Sequence, residues 1–336
     1  MISPHTIELR MELNSITFHD WRNIVRNKKT YDRDSETDFS YVKEGITIWY
    51  HKTKHRKWIK LIINPSRILG LDDLITLWEP NKQNRGQLIF ELDKFIEEYF
   101  DSEYELKDFT LTRIDFTKNV RLGNKEKVSA YIKFLHNIRK VKGFSPKYGK
   151  RDTWYIEDFG FDLEGNSNGI DFTAYDKEAA VEDNMKNMRF KRKEIKERLE
   201  MAKGVLRFEV KLTTQKAIRN YTDEEDTVKR INKLSKNSEK IFLDTFIRVV
   251  PFGDIYKKDK ALKIIEENVD DKKLQKKMLQ LLELVPKKKS LYLAQKVLND
   301  RNIDRILAGF HQQNLSPVTI SKRQKIKHLK NLYTFF

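Results

Sequence analysis

Three short segments carry the residues whose types and spacing could do chemistry. They are Leu111-Thr112-Arg113-Ile114-Asp115-Phe116, Ile170-Asp171-Phe172-Thr173-Ala174-Tyr175-Asp176-Lys177 and Val205-Leu206-Arg207-Phe208-Glu209-Val210-Lys211-Leu212. In a strand, residues i and i+2 share a face. The first segment then puts Ile114 and Phe116 on one side, and Arg113 and Asp115 on the other. The second turns Ile170, Phe172 and Ala174 inward and Asp171, Thr173, Tyr175 and Lys177 outward. The third buries Leu206, Phe208, Val210 and Leu212 and presents Arg207, Glu209 and Lys211. If the three strands pair in one sheet, its open face collects carboxylates, cations and one tyrosine. That is the equipment for metal-assisted attack by a tyrosine on a phosphodiester.

Such a nucleophile has three requirements. A phenol whose free pKa is about 10 must be oriented or deprotonated; Tyr175 is that phenol. Cations must neutralise the pentacovalent phosphate, and Lys177, Arg113 and Arg207 are the candidates. Carboxylates must hold a hard divalent ion such as Mg²⁺ or Mn²⁺ by oxygen ligation; Asp115 and Glu209 are the first candidates and Asp171 the third. The plain alternative is a solvated sheet face with cross-strand ion pairs, which Arg/Asp and Arg/Glu alternation commonly makes. His51 and His55 have helical ligand spacing in a segment that does not read as a helix, and His19 has no partner at ligand spacing. With 12 glycines and no GxxxxGK[ST] motif, the chain lacks the phosphate-binding loop of the common ATPases. No cysteine occurs, which excludes thiolate zinc sites and cysteine nucleophiles.

These segments sit in a chain of α+β pattern. Ile7, Leu9, Met11 and Leu13 alternate with charged residues as a half-buried strand, and further strands are expected at 46–50 and 58–63. Helical spacing runs over 88–100 and 128–141. Thr153–Ile156 and Ile170–Tyr175 read as hairpin arms around the turn-forming Gly165-Asn166-Ser167-Asn168-Gly169. One long charged helix is expected from Lys177 to Ala202, capped by Asp176 and stopped by Gly204. After about Thr214 strand signals fade, and helices are expected at 226–236, 239–249, 260–268, 274–284, 290–299 and 303–310, with a basic terminal helix from Thr319. The expected organisation is an α+β domain over 1–214, its largely antiparallel sheet carrying the active site, and an all-helical basic domain over 215–336.

Charge points to the partner. The 336 residues hold 67 Lys and Arg against 50 Asp and Glu, a net +17, which favours a polyanion, nucleic acid first and an anionic membrane surface second. Residues 215–336 contain 27 of the basic and 15 of the acidic residues, and so 12 of the 17 excess charges. Phosphate contacts are expected from the basic loop with Lys52, Lys54, Arg56 and Lys57. A second set is expected from a helix–turn–helix-like end, 303–310 followed by a helix bearing Lys322, Arg323, Lys325, Lys327 and Lys330. No apolar run approaches the ~18 residues of a membrane span, and the N-terminus lacks a basic-then-apolar signal; a soluble, cytoplasmic protein is expected.

Taken in order, an Arg-x-Asp strand, a hairpin ending in Tyr-Asp-Lys, a long charged helix and Leu-Arg-Phe-Glu-Val resemble rolling-circle replication initiators of plasmids and phages. The nearest types are the filamentous-phage gene II proteins and the plasmid Rep_trans initiators. The similarity covers about residues 40–215, and Lys60-Leu61-Ile62-Ile63-Asn64-Pro65-Ser66-Arg67-Ile68-Leu69-Gly70 looks like a family strand-to-loop element. The resemblance implies a strand-specific DNA nickase in which Tyr175 forms a covalent 5′-phosphotyrosine and frees a 3′-OH primer. It matches Asp115 and Glu209 to divalent-ion positions and Lys177 to the basic residue after the nucleophile. Origin DNA, with a hairpin or single-stranded nick site and flanking duplex, is the implied substrate. A host helicase is implied by the resemblance alone, and a homodimer is a further expectation. Two departures stand out: there is no His-hydrophobe-His motif, and Glu157-Asp158-Phe159-Gly160 replaces a glycine-serine-rich hairpin. Tyr155 is a competing nucleophile. A non-enzymatic DNA-binding initiator or repressor, and a base-stacking RNA-binding protein, are the other readings of the same residues.

Overall fold

The structure, a computed structural model, describes residues 1–12, 38–43, 45–52, 57–71, 75–100, 104–147, 159–186 and 192–336. It is α+β and divides into two compact units that interleave along the chain. The first comprises Met1–Lys118, Asn168–Ile170 and Val210–Phe242; the second comprises Asn119–Ser167, Asp171–Glu209 and Leu243–Phe336.

In the first unit, strands β1 (Ser3–Glu12), β2 (Asp38–Lys43), β3 (Ile46–Lys52), β4 (Lys57–Ile63) and the start of β5 (Thr110–Arg121) lie in the order β2-β3-β4-β1-β5. Neighbours run antiparallel, with Ile48 opposite Leu61, Leu9 opposite Leu61 and Ile7 opposite Ile114. Period-2 alternation explains the register, because a one-residue slip would turn Ile7, Leu9, Ile59, Leu61 and Ile114, all buried, out of the core. The Lys82–Tyr99 helix, begun by Asn81 accepting from the Asn84 N–H, buries Leu88, Leu92, Phe95 and Ile96. It contacts the Thr227–Lys236 helix, whose N-cap Asp226 accepts from the Lys229 N–H.

In the second unit, β6 (Phe144–Pro146), β7 (Gly160–Gly165), β8 (Ile170–Asp176) and β9 (Val205–Leu212) follow the order β9-β8-β7-β6, β8 and β9 contributing all but their ends. β7 and β8 form the hairpin expected around Gly165–Gly169, with Leu163 opposite Phe172 and Gly160 opposite Tyr175. The arm that pairs is 160–165; residues 153–156, expected in that role, lie outside the described residues. Phe172 and Phe208 pack with Phe246, which also meets Tyr333 and Phe336, an aromatic core worth more than its area alone. Asp176 caps the helix after β8, accepting from the N–H groups of Glu178 and Ala179. The expected 177–202 helix is two helices, Lys177–Lys186 and Arg192–Ala202, that contact each other. Gly204 stops the second with φ +66°, and it lies so close to Gly123 and Asn124 that a Cβ would sit 2.7 Å from the Asn124 nitrogen.

After β9 the elements are helices, apart from a two-residue ladder pairing Ile255–Tyr256 with His328–Leu329 and a final 3₁₀ turn. One expectation is corrected here. No helix begins at Thr319: residues 313–327 are turns and extended backbone. The Ile320 N–H donates to the Tyr256 carbonyl, and Val318, Ile320 and Leu329 are buried. Strand-like anchoring of these apolar residues outweighs helix formation by a segment whose basic residues repel one another.

Candidate active site

The site is built where β8 and β9 present their polar side chains. Ile170, Phe172 and Ala174 are buried, as are Leu206, Phe208, Val210 and Leu212, so the opposite residues of each strand share the other face. There the half-buried Tyr175 donates its hydroxyl proton to Glu209 Oε1 at 2.7 Å. Arg207 also hydrogen-bonds the Tyr175 hydroxyl, and its Nε donates to Asn119 Oδ1 at 2.8 Å. One phenol oxygen is therefore held between a carboxylate and a guanidinium.

This face was expected to be open, and at Arg207 and Glu209 it is closed. Arg207 is 0% exposed and Glu209 8%. Burying one of these charges alone would cost several kcal/mol, roughly, which pairing and hydrogen bonding offset. Alternation told which residues share a face but not what covers it. Burial raises the Tyr175 phenol well above its usual pKa, the negative charge of Glu209 raises it further, and Arg207 opposes both. At neutral pH the resting phenol keeps its proton, with an acceptor already in place.

The other expected site residues have separate partners. Asp176, next to the tyrosine, has its carboxyl pKa raised by burial, against the two N–H groups it caps. Lys177 is buried at the first position of the helix that follows. Asp171 accepts from the Gly165 N–H at 3.2 Å and lies 3.7 Å from the Lys147 ammonium, which makes it a fastener of the β7–β8 turn. In the first unit, Arg113 holds Asp115 with two bonds, 2.7 and 2.6 Å long, while Asp115 itself is buried.

Among the described residues no group of three or more His, Cys, Asp or Glu side chains could hold a metal ion. Asp115 is occupied by Arg113, Glu209 by Tyr175, and Asp171 by a backbone amide and a lysine.

The expected DNA contacts divide as well. Lys54 and Arg56 lie outside the described residues, as does Tyr155. Lys52 and Lys57 are opposite one another where β3 and β4 form a ladder, next to His51, whose ring stacks on both Trp49 and Trp58. At the other end, Lys322 reaches Asp259 at 3.9 Å, Lys327 is exposed, and Arg323 and Lys325 line a groove. Sequence reasoning missed Asn119, although it stands two, four and six residues beyond Thr117, Asp115 and Arg113 on the strand and so shares their face. It also missed Lys147, for which the sequence carries no signal.

Residues 85–232 match a family described as the N-terminal part of a phage replication-associated protein, the gene II protein. That segment contains Arg113, Asp115, Tyr175, Lys177, Arg207 and Glu209, and the match bears out the resemblance to rolling-circle replication initiators of the filamentous-phage gene II type. No curated protein matches the chain in sequence. Among solved structures it is similar to a rolling circle replication initiator protein from Geobacillus stearothermophilus, at 12% identity over 81% of this chain and 90% of that one, with a TM-score of 0.29. No helix among the described residues is long and apolar enough to cross a membrane.

Proposed function

We propose that the chain initiates rolling-circle replication by nicking and rejoining one DNA strand through Tyr175. The observation that carries this reading is the phenol oxygen held between Glu209 and Arg207, within the segment that matches the replication-protein family. In the proposed step the Tyr175 oxygen attacks the scissile phosphorus as its proton passes to Glu209, the group already accepting it. The P–O3′ bond breaks, the 5′-phosphate becomes a tyrosyl ester, and the departing 3′ oxygen takes a proton from solvent. Arg207 sits beside the attacking oxygen, where charge develops on the phosphoryl group. Lys177, two residues on, is assigned the neighbouring positive charge. The ester conserves the energy of the phosphodiester, so reversal by a 3′-OH rejoins the strand without ATP.

A divalent ion belongs to the reading by resemblance, with Asp115 and Glu209 its matched positions. Because both carboxylates are already engaged, no step is routed through a metal here. The basic exposed surface suits origin DNA as the substrate.

One observation favours a second reading. Tyr175, Glu209, Arg207 and Asn119 satisfy one another, as a purely structural polar network in a non-enzymatic DNA-binding initiator would. Tyr175→Phe separates the two readings: it abolishes a protein–DNA adduct while sparing DNA binding in the first, and in the second there is no adduct to lose.

A further inference from the structure

The Lys125–Ile138 helix places Lys125, Ser129, Lys133 and Asn137 four residues apart on one face, in line along its axis. Against that face lies the segment 321–326, and between them is a groove of about 870 Å³. Lys125, Lys133, Arg323 and Lys325 are exposed along it, and among the described residues Glu126 is the one acidic side chain in its lining. The chain just beyond the segment is tied to the same helix, where the Lys330 carbonyl accepts from the Tyr131 hydroxyl at 2.7 Å, and within the segment the Gln324 N–H donates to the Ser321 carbonyl.

We infer that this groove binds the sugar-phosphate backbone of a single DNA strand, with Lys125, Lys133, Arg323 and Lys325 on phosphates. Lys125 to Lys133 spans about 12 Å of helix axis, at 1.5 Å per residue. That is room for roughly three phosphates at a rise of about 3.4 Å per nucleotide. Walls on both sides suit one strand better than a duplex. The N-terminal end of the helix adds its own favourable potential for phosphate. The inference rests on the nicking reading only for the purpose of the groove, which is to hold DNA flanking the scissile phosphate.

The test is the anisotropy of a fluorescein-labelled 15-nucleotide oligothymidine titrated with full-length protein at several salt concentrations. It compares wild type, a triple variant Lys133→Gln/Arg323→Gln/Lys325→Gln, and a control of equal charge loss on the Lys272–Lys288 helix, Lys272→Gln/Lys273→Gln/Lys276→Gln. Each phosphate contact on a single strand contributes about 0.7 to the log–log salt slope, hence about fivefold in affinity at 0.1 M salt. The groove variant should lose about 100-fold in affinity and about 2 in slope, and the control less than about fivefold. Equal losses in both would overturn the groove and leave only a diffuse basic surface. An unlabelled hairpin duplex added as competitor should displace the oligothymidine poorly; displacement at equal concentration would overturn the single-strand assignment. Tyr175→Phe should bind oligothymidine like wild type, so failure of the groove and failure of the tyrosine chemistry read out separately. Matching thermal melts of the variants guard against misfolding, and the single substitution Lys133→Gln, with about a fivefold loss expected, keeps the test decisive if the triple variant is unstable.

Discussion

Glu209→Gln isolates the work of one carboxylate. Glutamine keeps the size of the side chain and an oxygen acceptor for the Tyr175 hydroxyl, but it removes the charge and the capacity to take a proton. The 2.7 Å bond is of the charge-assisted kind, worth about 1.5–3 kcal/mol. A positioned general base typically supplies about 10²–10⁴ in rate. Adduct formation on labelled single-stranded oligonucleotides tiling the DNA that encodes the protein should therefore slow by about that factor at neutral pH. The second expectation has the opposite sense. Glu209 holds the phenol pKa up by its charge and by the hydrogen bond, while Arg207 pulls it down. Removing the carboxylate leaves burial and Arg207 in opposition, so the Tyr175 pKa should fall. Ring-¹³C-tyrosine NMR, with Tyr175→Phe assigning the resonance among the 13 tyrosines, measures it. A Glu209→Gln protein that forms adduct at the wild-type rate, or whose Tyr175 pKa rises, would refute the assignment of Glu209 as proton acceptor.

The same geometry sets the response to pH and to two further substitutions. Because the Tyr175 pKa is raised on folding, its contribution to stability is complete below the unfolded value of about 10 and is lost as pH rises through the higher folded value. The thermal melting difference between wild type and Tyr175→Phe should thus shrink from pH 9 to 11, and a constant difference would contradict the shift. Asp171→Asn should leave the rate of adduct formation within about twofold, because Asp171 serves a turn amide and Lys147; a loss of 10²-fold or more, measured on the same oligonucleotides, would restore it as a metal-ligand candidate. Gly204→Ala should destabilise by roughly 2–4 kcal/mol, from positive φ and from overpacking against the 123–124 backbone, as read by urea titration.

Much of this arrangement was legible in the residues because strand alternation is a strong local signal. Ile170, Phe172 and Ala174 against Thr173 and Tyr175, and Leu206, Phe208 and Val210 against Arg207 and Glu209, fall on the faces their spacing predicts, and Asp176 caps the helix it precedes. Most helices after β9 lie within a few residues of their apolar periodicity. What periodicity cannot report is what lies above a face, so Arg207 and Glu209 read as solvated when they are buried. Nor does it report long-range anchoring: the basic stretch from Thr319 carries charges compatible with a recognition helix, but Ile320 and Leu329 are tied to Tyr256 and Ile255. Asp115 and Asp171 have the type and spacing of metal ligands, and only their partners, Arg113, Lys147 and the Gly165 amide, reveal their engagement.

The nucleophile itself is the central claim, and a denaturing gel tests it most directly. Purified wild-type, Tyr175→Phe and Tyr155→Phe proteins are incubated with 3′-labelled oligonucleotides tiling the encoding DNA, with Mg²⁺ or Mn²⁺ present, and protein-linked label is counted. A covalent 5′ adduct in wild type and Tyr155→Phe that is absent in Tyr175→Phe is the predicted result. An adduct that survives in Tyr175→Phe would contradict the account, and its loss in Tyr155→Phe would move the chemistry to the other tyrosine.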